Sequence, residues 1–392
     1  MESNAFLALQ HEVQDFVEGP AVKMGLGLEN GSIGPMSVWD ELKRRGYLRL
    51  AAPESLGGLG LSMGQYLTLL EKFSAMHGSM RMIVHVMNGI WRPVHSHASL
   101  AQTERFVKPL IQGEHIITFT LTEPNAGTGS DIKTQAYRDG NDYVLNGEKW
   151  LITFADVADY FLLFARLAGS RGSEGTLALL VDRDSPGLEI ELMPASMGLS
   201  GTGHGHLRLT ECRVPVANRL GDEGEGLDVD FHGFLDPSRL GIGMTTVGLA
   251  QRALDLAVER AKTRVTFGKS LAQRATIRER LAEMATDVEA ARQLCLWAAR
   301  RWDEGRLLPE DASKAKLYGS EMLQRVTDRA LQIFGGIGYF HGYEIERIYR
   351  DARAQRFEEG TAEVQKAVIG RALVAGASSY EAKPDPVPVV TY

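Results

Sequence analysis

Two cysteines, Cys212 and Cys295, are all that a chain of 392 residues contains. One disulfide between them is conceivable, but such low usage points to a reducing compartment and excludes a disulfide-stapled secreted scaffold. Basic residues are also few: 43 Lys and Arg stand against 50 Asp and Glu, a net charge of −7. A surface of that sign repels phosphate backbones, so nucleic acid is a poor partner. No run of about 18 uninterrupted apolar residues occurs, which leaves no candidate for a membrane-spanning helix. The opening stretch, MESNAFLALQHEVQDFVEGP, has neither a basic leading segment nor a long apolar core. A secretory leader is therefore not expected, and the expected location is the cytoplasm.

What is present is ordinary for a globular protein of two or three domains: 44% apolar and 24% charged residues. From Asn4 to about Gly113 the apolar spacing is helical. In SMGQYLTLLEKFSAMHG, Met63, Tyr66, Leu69, Leu70 and Phe73 form one stripe. APESLGGLGLS, with Pro53 and glycines at 57, 58 and 60, reads as an irregular loop. Near Ile116 the texture changes. ITFTLTEPNAGTGSD, DGNDYVLNGEKWLIT, DYFLLFARL, TLALLVDRDSPGLEIELM and HLRLTECRVP are β-branched or aromatic runs, and the Asp-Gly and Asn-Gly pairs among them signal hairpins. After Leu235 the helical period returns. In RLAEMATDVEAARQLCLWAARRW it runs through Leu281, Met284, Ala285, Val288, Ala291, Cys295 and Ala298. The order is helices, sheet, helix bundle, with no internal repeat. The boundaries expected are 1–117, 118–226 and 227–380, followed by a Pro-rich tail, 381–392.

Five strings in this order carry a resemblance. They are LTEPNAG (121–127), VLNGEKWLIT (144–153), AKTRVTFGK (261–269), LQIFGGIGY (331–339) and RDARAQRFEEGTAEVQ (350–365). Together they resemble the acyl-CoA dehydrogenase family, over nearly the whole chain from Glu41 to Val374. The resemblance implies an α+β fold: an N-terminal all-helical domain, a central antiparallel β-barrel-like domain and a C-terminal four-helix bundle. It also implies FAD. A flavin ring needs an apolar cleft with a few placed donors, while the cofactor itself does the redox chemistry. By this likeness Phe119, Leu121 and Thr122 line the flavin with backbone donors, and Thr153 adds a hydroxyl. Leu151 stands where a Trp usually sits beside the ring. The turn after LTEPNAG is about one residue short, which leaves Thr128 or Ser130 as the hydroxyl near flavin and thioester.

Arg264, with Thr266, Phe267 and Gly268, suits a pyrophosphate, because a guanidinium fork matches phosphate oxygens. Gln332, Gly335 and Gly336 belong with it, the glycines allowing close backbone approach. In relatives these residues reach the FAD of a neighbouring subunit, which implies a dimer or tetramer.

Dehydrogenation next to a thioester needs a carboxylate near the α-carbon and donors on the thioester oxygen. Alignment on Gly-Thr puts the family's base at Glu359, with Gly360 against the substrate and Thr361 and Glu363 opening a helix toward the cofactor. Glu358 reads as a solvated or salt-bridged neighbour; a second reading has it raising the pKa of Glu359. In one branch the base sits on another helix, but the matching LDPSRL offers Ser238 there, which cannot be a carboxylate base. Arg239 matches an arginine near substrate in relatives.

Several positions depart from the family pattern: Trp150 is displaced by one, Phe154 replaces a common Asn, Ala275 replaces a Gln, and Ser200, His204 and His206 replace an Arg and a Thr-x-Glu. His204 and His206 would share a strand face, but no third ligand is in view, so no metal is expected. His95 and His97 fare no better. The leading expectation is acyl-CoA dehydrogenation, with electrons passed to an electron-transfer flavoprotein. A flavin-dependent oxidase or monooxygenase and a non-catalytic binding flavoprotein are the alternatives.

Overall fold

The computed structural model describes residues 1–376 apart from positions 128 and 173, and not the side chains at 130 and 230–232. Thr128, the Ser130 hydroxyl and the Pro-rich tail therefore lie outside the described residues. The chain divides into two compact units, Met1–Ser238 and the remainder from Arg239.

The first unit begins with α1 (Ser3–Glu18), α2 (Pro20–Glu29) and α3 (Pro35–Arg44). Proline opens the latter two, where its missing N–H is no loss and its fixed φ suits the first turn. The 63–73 stripe becomes one face of α4 (Met63–Phe73), all five of its residues buried. Ser62 and Gln65 form a capping box at its start. Next comes α5 (Gly78–Ser96), almost wholly buried. It therefore carries polar side chains, Arg81, His85 and Asn88, into the interior.

The sheet that follows comprises β1 (Ile117–Thr120), β2 (Gln135–Asp139), β3 (Asp142–Thr153), β4 (Tyr160–Leu167), β5 (Thr176–Asp182), β6 (Leu188–Leu192), β7 (His204–Pro215) and β8 (Arg219–Leu220). Its order is β6-β7-β3-β2-β4-β5-β8, with β1 paired to β4. Most pairings are antiparallel; β1–β4 and β2–β4 are parallel. Of the two expected hairpin turns, Asp139-Gly140 joins β2 to β3. Asn146-Gly147 does not turn the chain. It lies inside β3, where the register with β7 shifts between Leu145 and Gly147. Gly147 is required for a different reason: at φ +151, an added Cβ would lie 2.7 Å from the Thr134 backbone.

The second unit is helical: α6 (Asp236–Thr263), which crosses the boundary, α7 (Ala275–Asp303), α8 (Pro309–Phe334), α9 (Glu344–Ala354) and α10 (Ala362–Val374). Helix α8 packs against α7, α9 and α10. It meets α6 at two glycines: a Cβ on Gly243 would lie 3.3 Å from the Ala315 backbone of α8, and one on Gly319 would overlap Thr246 of α6. Met284, Val288, Ala291, Cys295 and Ala298 are buried, as their spacing of four and three requires. Ala285 is exposed, because it lies about 100° round the helix from Met284. Both cysteines are free and buried.

Candidate active site

The Glu-Glu-Gly-Thr stretch forms a tight turn between α9 and α10. Glu359 adopts φ +54 and Gly360 φ +95. A left-handed glutamate is uncommon and costs about 1–2 kcal/mol, so it persists only when its surroundings fix it. Here they do so through carbonyl oxygens. Gln365 Nε2 donates to the carbonyls of Glu359 (2.9 Å) and Gly360 (3.1 Å). Arg239 Nε donates to the Glu359 carbonyl at 3.4 Å. Lys316 Nζ donates to the carbonyls of Gly360 (2.6 Å) and Arg356 (3.2 Å). Lys316 is fully buried. Burial pushes its ammonium down to about 8, while the charges of Glu358 and Glu359 act the other way. Gln355 Nε2 approaches Glu358 Oε1 at 3.4 Å, so Glu358 is tied to its own turn. Glu363 is held below the usual carboxylate range by a backbone hydrogen bond at the start of α10 and by the Thr361 hydroxyl.

A second group gathers around a cavity of about 610 Å³. Arg264, Thr266, Gln332, Gly335 and Gly336, all anticipated from sequence, line it together with Arg260 and Phe334. Phe267 does not. It sits with Gly268 at the tip of the hairpin β9–β10 (Val265–Thr266 and Lys269–Ser270), both residues left-handed, and its ring is 96% exposed. Arg274, which sequence reasoning passed over, pins this hairpin by donating to the Thr266 carbonyl and hydroxyl at 2.8 and 2.7 Å.

The third group is in the first unit. Trp150 N donates to the Thr122 carbonyl at 2.8 Å, and the Thr118 hydroxyl to the Thr153 carbonyl, so β3 runs beside β1 and its extension. The Phe119 ring stacks on Phe234 at 4.4 Å. Leu121 is buried and Thr122 half-buried. A second irregularity in β3, between Lys149 and Ile152, leaves Leu151 at φ +58 and half exposed. Two departures noted in the sequence are neighbours here. The displaced Trp150 packs edge-on against His206 at 5.1 Å, and His206 pairs with Glu148 at 2.8 Å. Phe154 holds φ +60, a conformation Asn tolerates better, and offsets this by burying its ring against Trp39.

Beneath this surface Lys149 and Glu123 form a buried ion pair at 2.8 Å that sequence reasoning missed. Lys149 also donates to the Leu121 carbonyl at 3.0 Å, and Glu123 accepts the amides of Lys133 and Thr134 at 2.7 and 3.0 Å. Burial alone would raise the Glu123 carboxyl, but the Lys149 charge and these hydrogen bonds outweigh it and hold it low. Ser238 bonds to His85 Nε2 at 2.9 Å. Burial, then the charges of Arg81 and Arg92, push the His85 imidazole down to about 3, so it stays neutral. Among the described residues no group of three His, Cys, Asp or Glu could hold a metal ion, and no helix is long and apolar enough to cross a membrane.

Three family models match in sequence order: acyl-CoA dehydrogenase N-terminal domain (residues 4–114), middle domain (118–212) and C-terminal domain (224–374). The chain belongs to the acyl-CoA dehydrogenase family. Members of this family are FAD-dependent oxidoreductases. Among its relatives, the CarC subunit of the caffeyl-CoA reductase–Etf complex of Acetobacterium woodii is 35% identical over 342 residues, 87% of this chain and 90% of the relative. The mitochondrial short-chain specific acyl-CoA dehydrogenase of Rattus norvegicus is 34% identical over 370 residues, 93% and 89%. The structure of butyryl-CoA dehydrogenase from Megasphaera elsdenii superposes with a TM-score of 0.90 at 32% identity, covering 95% of this chain and 99% of that one. The residues present fit the family's cofactor. The 610 Å³ cavity offers the two guanidiniums of Arg260 and Arg264, and Gly335 and Gly336 face open space where any Cβ would stand. That combination of cationic forks and unhindered backbone suits a pyrophosphate.

Proposed function

We propose that this acyl-CoA dehydrogenase introduces an α,β double bond into an acyl-CoA thioester, with the Glu359 carboxylate removing the α-proton. The observation that carries the reading is the held left-handed conformation of Glu359, in a turn whose carbonyls are tied down by three side chains. A base that must meet one particular C–H gains from such fixing, because misplacement by about 1 Å can cost roughly 100-fold in rate. No other branch position competes: Ser238 has no carboxylate and is bonded to a neutral histidine. Gly360 lies against the substrate, and Arg239 steadies the turn through the Glu359 carbonyl.

FAD, when bound, supplies the acceptor for the β-hydride. Phe119, Leu121, Thr122, Leu151 and Thr153 would contact its ring, with Ser130 as the hydroxyl shared with the thioester. Arg264, Thr266, Gln332, Gly335 and Gly336 would hold its pyrophosphate from a neighbouring subunit, Phe267 flanking them, and Thr361 and Glu363 would present the start of α10. The reading therefore includes a homo-oligomer, dimer or tetramer, in the cytoplasm. An electron-transfer flavoprotein as the redox partner is supported by the CarC relative, whose complex includes one by name.

The test is a visible spectrum of the purified protein under anaerobic conditions as a panel of acyl-CoA thioesters is added. Bleaching of the flavin with one acyl class is expected. Glu359→Gln should retain flavin and thioester binding while losing about 100- to 10,000-fold in bleaching rate, the usual range for a general base; Glu358→Gln should bleach normally. A fully active Glu359→Gln variant would refute the assignment.

A further inference from the structure

Lys316 stands out in the second unit because it is a buried cation whose two hydrogen bonds go to backbone carbonyls rather than to a carboxylate. Its ammonium is fully buried on α8 and reaches the turn that carries Glu359, donating to the carbonyl of Arg356 on one side and of Gly360 on the other. The residues between those two carbonyls are Phe357, Glu358 and Glu359. One cation thus fastens both ends of the base's turn. An uncharged methylene chain would fill the same space and avoid the desolvation of a buried ammonium. That the position is nevertheless cationic fits a requirement of the turn itself. Both carbonyls point inward and need a donor, and the left-handed Glu359 needs its neighbours fixed.

We propose that Lys316 is a positioning residue for dehydrogenation: by holding the carbonyls of Arg356 and Gly360 it aims the Glu359 carboxylate. This rests on Glu359 as the base. The charged groups acting on Lys316 are Glu358 and Glu359, which favour its charge, and Arg239 and Arg356, which oppose it. At pH 7 the ammonium is mostly protonated, since burial brings it only to about 8. Removing it leaves two inward carbonyls without their cationic donor and takes a cation away from a carboxylate, which raises that carboxylate's pKa.

The experiment measures α-hydrogen exchange from D2O into a CoA thioester whose β-methylene is replaced by sulfur, so that the proton step is followed without flavin reduction. The holoenzyme, Lys316→Met, Lys316→Gln and Glu359→Gln are compared across pH. Lys316→Met should slow exchange about 10- to 100-fold with thioester Kd changed by less than about 3-fold, as for a misaimed base. The acid limb of its profile should move to higher pH. Lys316→Gln, which keeps an N–H donor without the charge, should lose less rate yet show the same shift of the acid limb; it carries the test if Lys316→Met does not retain flavin. Exchange within about 2-fold of wild type and an unmoved acid limb in both lysine variants, with Glu359→Gln inactive, overturns the role of Lys316 alone. Exchange by Glu359→Gln at the wild-type rate overturns the base assignment, and the positioning role with it.

Discussion

The buried Lys149–Glu123 pair makes a quantitative prediction about β3. Neither side chain is more than 4% exposed, and their N···O distance is 2.8 Å. Truncating Lys149 to Met strands a carboxylate in the interior, and breaking such a pair typically costs about 3–5 kcal/mol. Glu123 would keep the amides of Lys133 and Thr134, so the lower end, about 3 kcal/mol, is expected. At roughly 2–4 °C per kcal/mol for a domain of this size, the melting temperature should fall by about 6–12 °C. The double variant Lys149→Met/Glu123→Gln should recover part of that loss, because no charge is then left buried, although one of the two amides that Glu123 accepts loses its acceptor. Differential scanning calorimetry of the four proteins in the double-mutant cycle gives the coupling directly. A single-variant drop under about 2 °C, or a double variant no more stable than Lys149→Met, would refute the reasoning. A second consequence follows from the Lys149 bond to the Leu121 carbonyl. In Lys149→Met and in the double variant alike the flavin should dissociate more readily on dilution than in the wild type, since both lose that bond.

Gly360→Ala should be worse than its size implies: at φ +95, the new Cβ would stand 3.0 Å from Gln365 Nε2 and 3.2 Å from Val364 Cγ1. A stability loss of about 1–2 kcal/mol and at least a roughly 10-fold drop in kcat are expected, checked by melting and steady-state kinetics. His85 predicts acid sensitivity. In the folded protein it stays neutral down to about pH 3, whereas the unfolded chain takes up its proton below about 6.5. The unfolded state therefore binds more protons in that window, and stability falls as pH drops, by about 1.4 kcal/mol per unit for this one group. Melting curves from pH 7 to 4 should be shallower for His85→Asn; an unchanged slope would show that His85 does not set it.

Much of this protein was legible before folding. Apolar periods gave the helices, since a stripe at three and four residues can be buried only on a helix, and α4 buries every residue of its stripe. The turn between β2 and β3 follows from Gly140, which accepts positive φ, whereas the left-handed Phe267 beside Gly268 does not. The cavity residues Arg264, Thr266, Gln332, Gly335 and Gly336 were named from local strings, and they share one lining because each string ends an element that converges there. What stayed hidden was whatever depends on contacts distant in sequence. Asn146-Gly147 carries the same local signal as a turn, and only the Thr134 backbone pressed against Gly147 makes it a strand irregularity. Lys149 and Lys316 look like surface lysines in a charged sequence. Their roles arise because Glu123, 26 residues from Lys149, and the Gly360 carbonyl, 44 residues from Lys316, are brought to them by packing. Sequence determines which groups are available and which backbone angles they tolerate; burial, which sets the strength of each charge and the need for each donor, is decided only by the tertiary structure.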